Sequence, residues 1–491
     1  MEYLSTINKR FVLLGFLILV STNLIAQGST SFFKTYTGGL FDFGQGITQL
    51  DNGKYAVTGS TSSLGDNSSK ALLMVIDEEG NHEWTKGYGG ANSDWGRRIF
   101  HETGSGFWIA GYSNSYGDAS FDFTLLKTDE SGELEWEQHY GTADRERLWD
   151  AIRIDDGSFI LVGETEGVLS DGKDILMMRV DEDGELMWTE RIDNEGDDVG
   201  YAVTSFDDTT FLLAGDYHNN GETSGLIVKM HVDGTFIEQW IYDQDGPASF
   251  RDIKRFGGQT YVGGAVNSTS LEYVNSLLLR LDNNYNILHS ELADKDGDYF
   301  VSAIEILAND RLYCGFKTTS ELLNVFPGGW DTFILRYHRS MYYLGPAIPL
   351  SAVDDDDITQ IIATDDGGII SIGSSSDDRS NTSNGSDIMI VKVGPNDEFE
   401  QNANEGNDLV NTIEFLDTND HYIYPNPTDG MVNFSDKFQY KDLKIFNMLG
   451  QLQEDVIYHE TKVDLTRLQN GIYILVLEDH NQSYSFKIIK K

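Results

Sequence analysis

From Phe32 to Val393 the apolar residues fall in short recurring runs: Phe107–Gly111 (FWIAG), Phe159–Gly163 (FILVG), Phe211–Gly215 (FLLAG) and Ile369–Gly373 (IISIG). After a polar loop each is followed by a second run, as in ILMMRV, LIVKM and IMIVKV. The runs are continuous rather than alternating, so both faces of these strands are covered, as in the inner strands of stacked sheets. Gly59, Gly111, Gly163 and Gly215 are each 52 residues apart, as are Trp84, Trp136 and Trp188, and Asp77, Asp129 and Asp181. Later copies drift but keep a glycine within the strand at Gly264, Gly315 and Gly373, which makes seven copies. In the second copy the strands are read at 97–101, 107–113, 123–129 and 134–140, with turns Thr103 to Gly106 and Glu130 to Gly132. Four strands per repeat of about fifty residues is the pattern of propeller blades, each too small to bury its own faces.

The two ends of the repeat region fit each other. The seventh copy runs from Ile358 to Val393 and then enters the polar stretch Gly394 to Gly406 without a fourth strand. Phe32, Tyr36, Asp42 and Ile47 stand 52 residues before Trp84, Tyr88, Asp94 and Ile99, so the missing strand lies at the start of the chain. The expected fold is therefore all-β: a seven-bladed β-propeller over residues 29–399, closed by its N-terminal strand so that no sheet edge is left exposed, followed by a small C-terminal β-sandwich.

The last seventy residues have a different pattern. YPNP at Tyr424, Pro425, Asn426 and Pro427 fixes two φ angles, and Asp429-Gly430 is a hairpin signal. Strands are expected at Met431 to Ser435, Leu443 to Asn447, Ile472 to Glu478 and Ser483 to Ile489. With Gly450 in LGQ, Gly471 in NGIY and the terminal Lys490-Lys491, this order resembles the type A C-terminal sorting domain of the type IX secretion system of Bacteroidetes, over residues 422–491. The resemblance implies export across the outer membrane, with the type IX machinery as a partner and the cargo released or held at the cell surface. At the other end, Lys9-Arg10, the apolar run Phe11 to Val20 and a small residue before Gln27 read as a signal peptide over residues 1–26, too short for a membrane span. A polar linker is expected at 400–421.

The chain carries 80 acidic and 35 basic residues, a formal charge of −45, which disfavours nucleic acid and anionic lipid as partners. Gly at 50 of 491 residues against 7 Pro agrees with many strands joined by tight turns. The single cysteine, Cys314, lies in an apolar run, so intrachain disulfides and cysteine-ligated metals are excluded. Through YGGANSDWGRRI, GFWIAGYSNS and FTLLKTDESGELEW the repeats resemble the bacterial β-propeller repeat family SBBP. They are more weakly similar to the quinoprotein repeat, through Asp77, Gly80 and Trp84 and their equivalents in the next two copies. A Trp recurring once per blade is expected to serve packing between blades rather than a cofactor.

Candidate chemistry gathers in the loops between strands two and three, which share a face with the loops between blades. Tyr112, Tyr116, Tyr217 and Trp330 are ring-bearing positions there, suited to stacking on sugars or gripping a peptide. Asp122, Asp174, Asp331 and Asp387 each precede strand three, where a carboxylate either lines a ligand site or accepts backbone N–H groups of a turn. Asp294, Asp296 and Asp298, with Glu305 at the twelfth place, match the acidic positions of a calcium loop, but Tyr299 stands where the turn needs glycine and Glu305 falls within a strand. Calcium through the three aspartates is the only cofactor suggested, with a solvated acidic loop as the alternative reading. No GxSxG, HExxH or cysteine nucleophile marks an enzyme. The expected protein is a secreted or cell-surface binding module for a glycan or protein. The alternatives are a carbohydrate-active enzyme using the loop face and a purely structural adhesion component.

Overall fold

The computed structural model describes residues 31–64, 68–116, 120–142, 144–167, 172–193, 196–219, 221–244, 246–267, 273–293, 297–319, 330–344, 347–350, 355–376, 385–395, 407–408, 423–424, 430–434, 442–447, 453, 456–459, 462–478 and 483–490. The signal-peptide segment 1–26 and all of 400–421 except 407–408 lie outside the described residues. The chain divides into two compact units, 1–63 with 69–411, and 64–68 with 412–491.

The first unit is the seven-bladed propeller. The first six blades are antiparallel sheets whose strands lie in chain order, the second being Asp94–Glu102, Gly106–Ser113, Asp122–Thr128 and Leu134–Tyr140. The first strands, Asp42–Gln49, Asp94–Glu102, Arg145–Arg153, Val199–Asp207, Ala248–Phe256, Tyr299–Ile306 and Asp356–Ala363, neighbour one another around the ring and form its inner wall. The seventh blade is completed from the chain start: Phe32–Thr37 pairs antiparallel with Asp387–Val393, Phe33 opposite Val391 and Tyr36 opposite Ile388. A short segment, Asn407–Asp408, then pairs parallel with that N-terminal strand.

The 52-residue period is a list of seams. The continuous runs are fully buried because neighbouring blades cover both faces; Trp108, Leu125, Phe159, Leu161 and Met178 form one core shared by blades two and three. At the outer edge, the hydroxyls of Tyr36, Tyr88 and Tyr140 donate to the carbonyls of Gly80, Gly132 and Gly184 in the next blade, at 2.7, 2.7 and 2.8 Å. Trp84, Trp136 and Trp188 lie under the next blade's turn at Gly132, Gly184 and Gly234, which is the interblade packing expected of them. Trp188 also donates its indole N–H to the Val232 carbonyl at 2.9 Å. The periodic aspartates close those turns, Asp129 by accepting the N–H groups of Ser131 and Glu133, both at 2.8 Å. On the opposite, loop-bearing face the seam in six blades is a backbone bond from the start of the first strand to the previous blade: Asp42 to Ser386, Asp94 to Ser69, Glu146 to Phe121, Asp198 to Lys173, Tyr299 to Val274 and Asp356 to Trp330.

The recurring glycine has a steric cause. Every first strand carries a β-bulge, and the residue opposite its start is Gly59, Gly111, Gly163, Gly215, Gly264 or Gly373 in six blades. A Cβ there would stand 1.7 to 2.0 Å from the carbonyl oxygen of Phe43, Trp95, Arg147, Val199, Ser249 or Asp357. The sixth blade departs from the sequence register. Gly315 pairs with Ala303 beyond the bulge, and the residue facing Val301 at the bulge start is Phe316, so Gly315 is not the periodic glycine.

The second unit is a small sandwich. One sheet orders Ile423–Tyr424, Met431–Phe434, Lys462–Asp464 and Ile457–His459, and the other Asp442–Asn447, Gly471–Glu478 and Ser483–Lys490. Val432 and Val463 of the first sheet share one core with Ile445, Leu475 and Ile488 of the second. The two short strands at 457–459 and 462–464 lack an apolar run long enough to announce them.

Replacing Gly163 by Ala, which forces the new methyl onto the Arg147 carbonyl, is expected to destabilise the propeller by about 1–3 kcal/mol. Thermal unfolding of the variant beside the wild type measures this, and an unchanged melting midpoint would count against the steric account of the period.

Candidate functional site

A β-bulge inserts one residue that has no partner across the ladder and re-aims its side chain. Because all seven bulges lie at the same point of the inner strands, the inserted residues form a ring: Gln45, Arg97, Trp149, Tyr201, Arg251, Ser302 and Thr359. The first five touch in sequence around the wall. Arg97 donates to the Gln45 side-chain oxygen and lies 4.3 Å over the Trp149 ring. Trp149 meets Tyr201 edge-on with centroids 5.3 Å apart, and Arg251 lies 3.8 Å over Tyr201. Such contacts contribute about 0.5–2 kcal/mol each, more as water is excluded. Toward the loop face the row continues through Arg97 to Tyr112 at 6.0 Å, from Tyr112 to Trp95 at 6.0 Å, and from Trp95 to Phe43 at 5.3 Å. Arg97, Trp149, Tyr201, Arg251, Trp95 and Phe43 are all half-buried.

One residue beyond the bulge the side chains serve the inner edge itself. Asp150 and Asp252 accept the N–H of Val203 and Ile304 in the next blade, at 2.8 and 2.7 Å, and Gln360 accepts that of Ile47 at 2.8 Å. Arg98 binds Asp150 at 2.6 Å. These contacts cap backbone donors that an edge strand would otherwise leave unpaired.

Electrostatically the wall is mixed. Burial lowers the pKa of the Arg97 guanidinium from its ordinary value, and burial raises the Tyr201 phenol to about 12. Burial pushes the Asp216 carboxyl up to about 6 despite Arg251, whose guanidinium stands 3.8 Å away. Burial likewise raises the carboxyls of Asp42, Asp94 and Glu146, each held by loop hydroxyls such as Ser63, Ser115 and Thr142.

The loop positions singled out in the sequence are distributed differently from this wall. Tyr112 is 9% exposed and belongs to the aromatic row. Tyr116 is 41% exposed and lies against His139 of the outer strand, 4.4 Å between ring centroids. Tyr217 is half-buried against the core between blades three and four. Trp330 packs on Phe300 at 5.4 Å, with the Lys317 ammonium 5.5 Å from its ring. Asp122, Asp174, Asp331 and Asp387 each sit one residue past the carbonyl that receives the next blade's N–H, on the third strand, two strands out from the channel. Asp174 is buried and ion-paired with Arg191.

Asp294 and Asp296 lie outside the described residues, while Asp298 accepts the Val274 N–H at 2.9 Å. Among the described residues no group of three acidic, histidine or cysteine side chains is placed to hold a metal. Of the sorting-signal residues, Pro425, Asn426, Pro427, Gly450 and Lys491 also lie outside them. Tyr424 pairs with Asn433, Gly471 opens the hairpin opposite Lys490, and the buried Lys490 binds Asn470 at 3.2 Å.

Trp149, Tyr201, Arg97 and Arg251 were not picked out from the sequence. A signal existed: Gln45, Arg97, Trp149 and Tyr201 are themselves 52 residues apart and carry four different side chains.

The fold and the C-terminal sandwich together define a β-propeller protein built for export. Residues 422–491 match the family described as "Secretion system C-terminal sorting domain", and proteins bearing it travel by type IX secretion to the cell surface or the extracellular space. No curated protein matches the chain. Among solved structures it is similar to the polysaccharide lyase PL25 ulvan lyase (11% identity, TM-score 0.47, covering 74% of this chain and 95% of that one). It is also similar to Sqt1 from Chaetomium thermophilum (12%, 0.43, 70% and 83%) and to the Pan2 WD40 domain from Neurospora crassa (10%, 0.41, 71% and 88%). Scores this low carry no inference about the chemistry of this chain. Among the described residues no helix is long and apolar enough to cross a membrane.

Deleting residues 424–491 is expected to hold the propeller in the periplasm of a host with the type IX machinery. Fractionation and surface labelling follow this, and undiminished surface display would refute it. A second expectation concerns pH. A carboxyl whose pKa is raised on folding stabilises the fold fully below its unfolded pKa, about 4, and that contribution is lost as pH rises through its folded value, about 6 for Asp216. The melting midpoint is expected to fall from about pH 4.5 to about pH 7, and Asp216→Asn to shrink that fall. An identical slope in the variant would assign the pH dependence to other groups.

Proposed function

We propose that the propeller is a binding module that takes a glycan at the loop-face mouth of its channel. The observation that supports this most is the row Phe43, Trp95, Tyr112, Arg97, Trp149, Tyr201 and Arg251, in which rings and guanidinium groups touch in series across five blades. Half-buried rings offer flat apolar surface to the C–H faces of sugars, and the adjoining polar groups orient the hydroxyls. The second reading, an enzyme acting on a polysaccharide at the same mouth, is favoured by Asp216, whose carboxyl is pushed to about 6 and which stands beside Arg251.

Glycan-array binding by the full chain, followed by an assay for shortened saccharide products, separates the two. Binding without product release is expected, with Trp149→Ala weakening it by about tenfold. Product release that disappears in Asp216→Asn would transfer the reading to an enzyme.

A further inference from the structure

Resting on that glycan-binding reading, we infer that the occupant is an acidic saccharide, its carboxylate or sulfate held by Arg97 and Arg251 while its ring packs against Trp149 and Tyr201. The argument begins from the charge balance. With 80 acidic side chains to 35 basic ones, a basic group in this chain readily finds a carboxylate. Elsewhere in the propeller this happens repeatedly: Arg98 with Asp150 at 2.6 Å, Arg153 with Glu102 at 2.8 Å, Arg179 with Asp156, and Arg191 with Asp174.

Arg97 and Arg251 lack so close a carboxylate, as do Arg255 and Arg280 elsewhere, but those two donate to Thr260, Asn283 and the Arg339 carbonyl away from the bulge ring. Arg97 donates only to neutral oxygens, the Gln45 side chain and the Leu148 carbonyl, and among the described residues no carboxylate lies within 4 Å of it. Arg147, two residues before the neighbouring bulge residue Trp149, has a buried Nε with no hydrogen-bond partner and rests against the Phe121 ring at 5.6 Å. Arg251 meets Asp216 only at 3.8 Å, beyond the 2.7–2.9 Å of a charge-assisted hydrogen bond. A guanidinium carries five N–H donors in a planar fork that matches carboxylate and sulfate oxygens. A half-buried one left with spare donors gains most from an anionic ligand, because the bond replaces poor solvation.

The location selects a sugar over a bare anion. The two cations flank one aromatic pair, Arg97 over Trp149 and Arg251 over Tyr201. The Trp149 plane is fixed by its indole N–H to Glu164 at 3.1 Å, and Glu164 is in turn held by Lys173 at 3.1 Å. A ligand reaching both arginines lies along those rings, which calls for a body with an apolar face as well as a charge.

The test titrates the full chain with three oligosaccharides of equal length: one bearing uronate and no sulfate, one bearing sulfate ester and no uronate, and one neutral. An acidic member is expected to bind, with affinity falling as sodium chloride is raised, and the better of the two acidic arms identifies the anion. Arg97→Gln and Arg251→Gln are each expected to weaken that binding by about tenfold or more. Arg97 also bridges blades, so melting midpoints are measured alongside; should Arg97→Gln fail to fold, Arg251→Gln and the salt dependence of the wild type decide. Equal binding of the neutral sugar, indifferent to salt and to Arg251→Gln, would overturn the acidic-ligand inference and leave the glycan-binding reading standing. No binding in any of the three arms would overturn both.

Discussion

The fold depends on one constraint: neither face of a blade can meet water. A four-stranded sheet made from runs such as Phe159–Val162 and Ile175–Met178 is apolar on both sides, so it persists only between two others. A ring satisfies this for every blade at once, provided the last blade is completed; Phe32–Thr37 does so by pairing with Asp387–Val393. Without that strand the apolar residues Ile388 and Ile390 would lie beside an open edge, with the core they share with Tyr36, Ile47 and Leu72 exposed. Each recurring feature serves a seam: Tyr hydroxyl to Gly carbonyl at the outer edge, Trp beneath the neighbouring turn, and backbone N–H to carbonyl at the loop face.

This is why so much of the architecture could be read from the chain. A contact made seven times leaves a period, and Gly59, Trp84 and Asp77 with their 52-residue echoes record steric exclusion, interblade packing and turn closure respectively. Where a blade solves the same problem with different residues the reading slips, as it did by one residue at Gly315, because Phe316 occupies the place a glycine holds in the other six. The short strands 457–459 and 462–464 escaped notice for a simpler reason, since three residues are too few to show a periodicity.

The candidate site was legible only in part. Tyr112 was picked from the loop sequence and belongs to the aromatic row, but its partners Trp95 and Arg97 lie on its own blade's first strand, and from Arg97 the row passes to Trp149, Tyr201 and Arg251 on the first strands of three other blades. Proximity of that kind is made by the ring and has no local signature. The four aspartates before strand three recur, and each stands one residue past the carbonyl that takes the next blade's N–H.

The same bulge that makes glycine obligatory also creates the variable ring. The bulge presses a backbone carbonyl against the second strand, which excludes a side chain there, and in the same step frees one residue of the first strand from any partner in the ladder. The first consequence is identical in six blades, while the second imposes no residue type, so Gln45, Arg97, Trp149, Tyr201, Arg251, Ser302 and Thr359 differ without cost to the sheet. Within a repeat protein, the positions that vary at a constant geometric place are the ones the fold leaves available to a ligand. Two of the seven are arginines in a chain of net charge −45, both half-buried and each lying over an aromatic ring of a neighbouring blade.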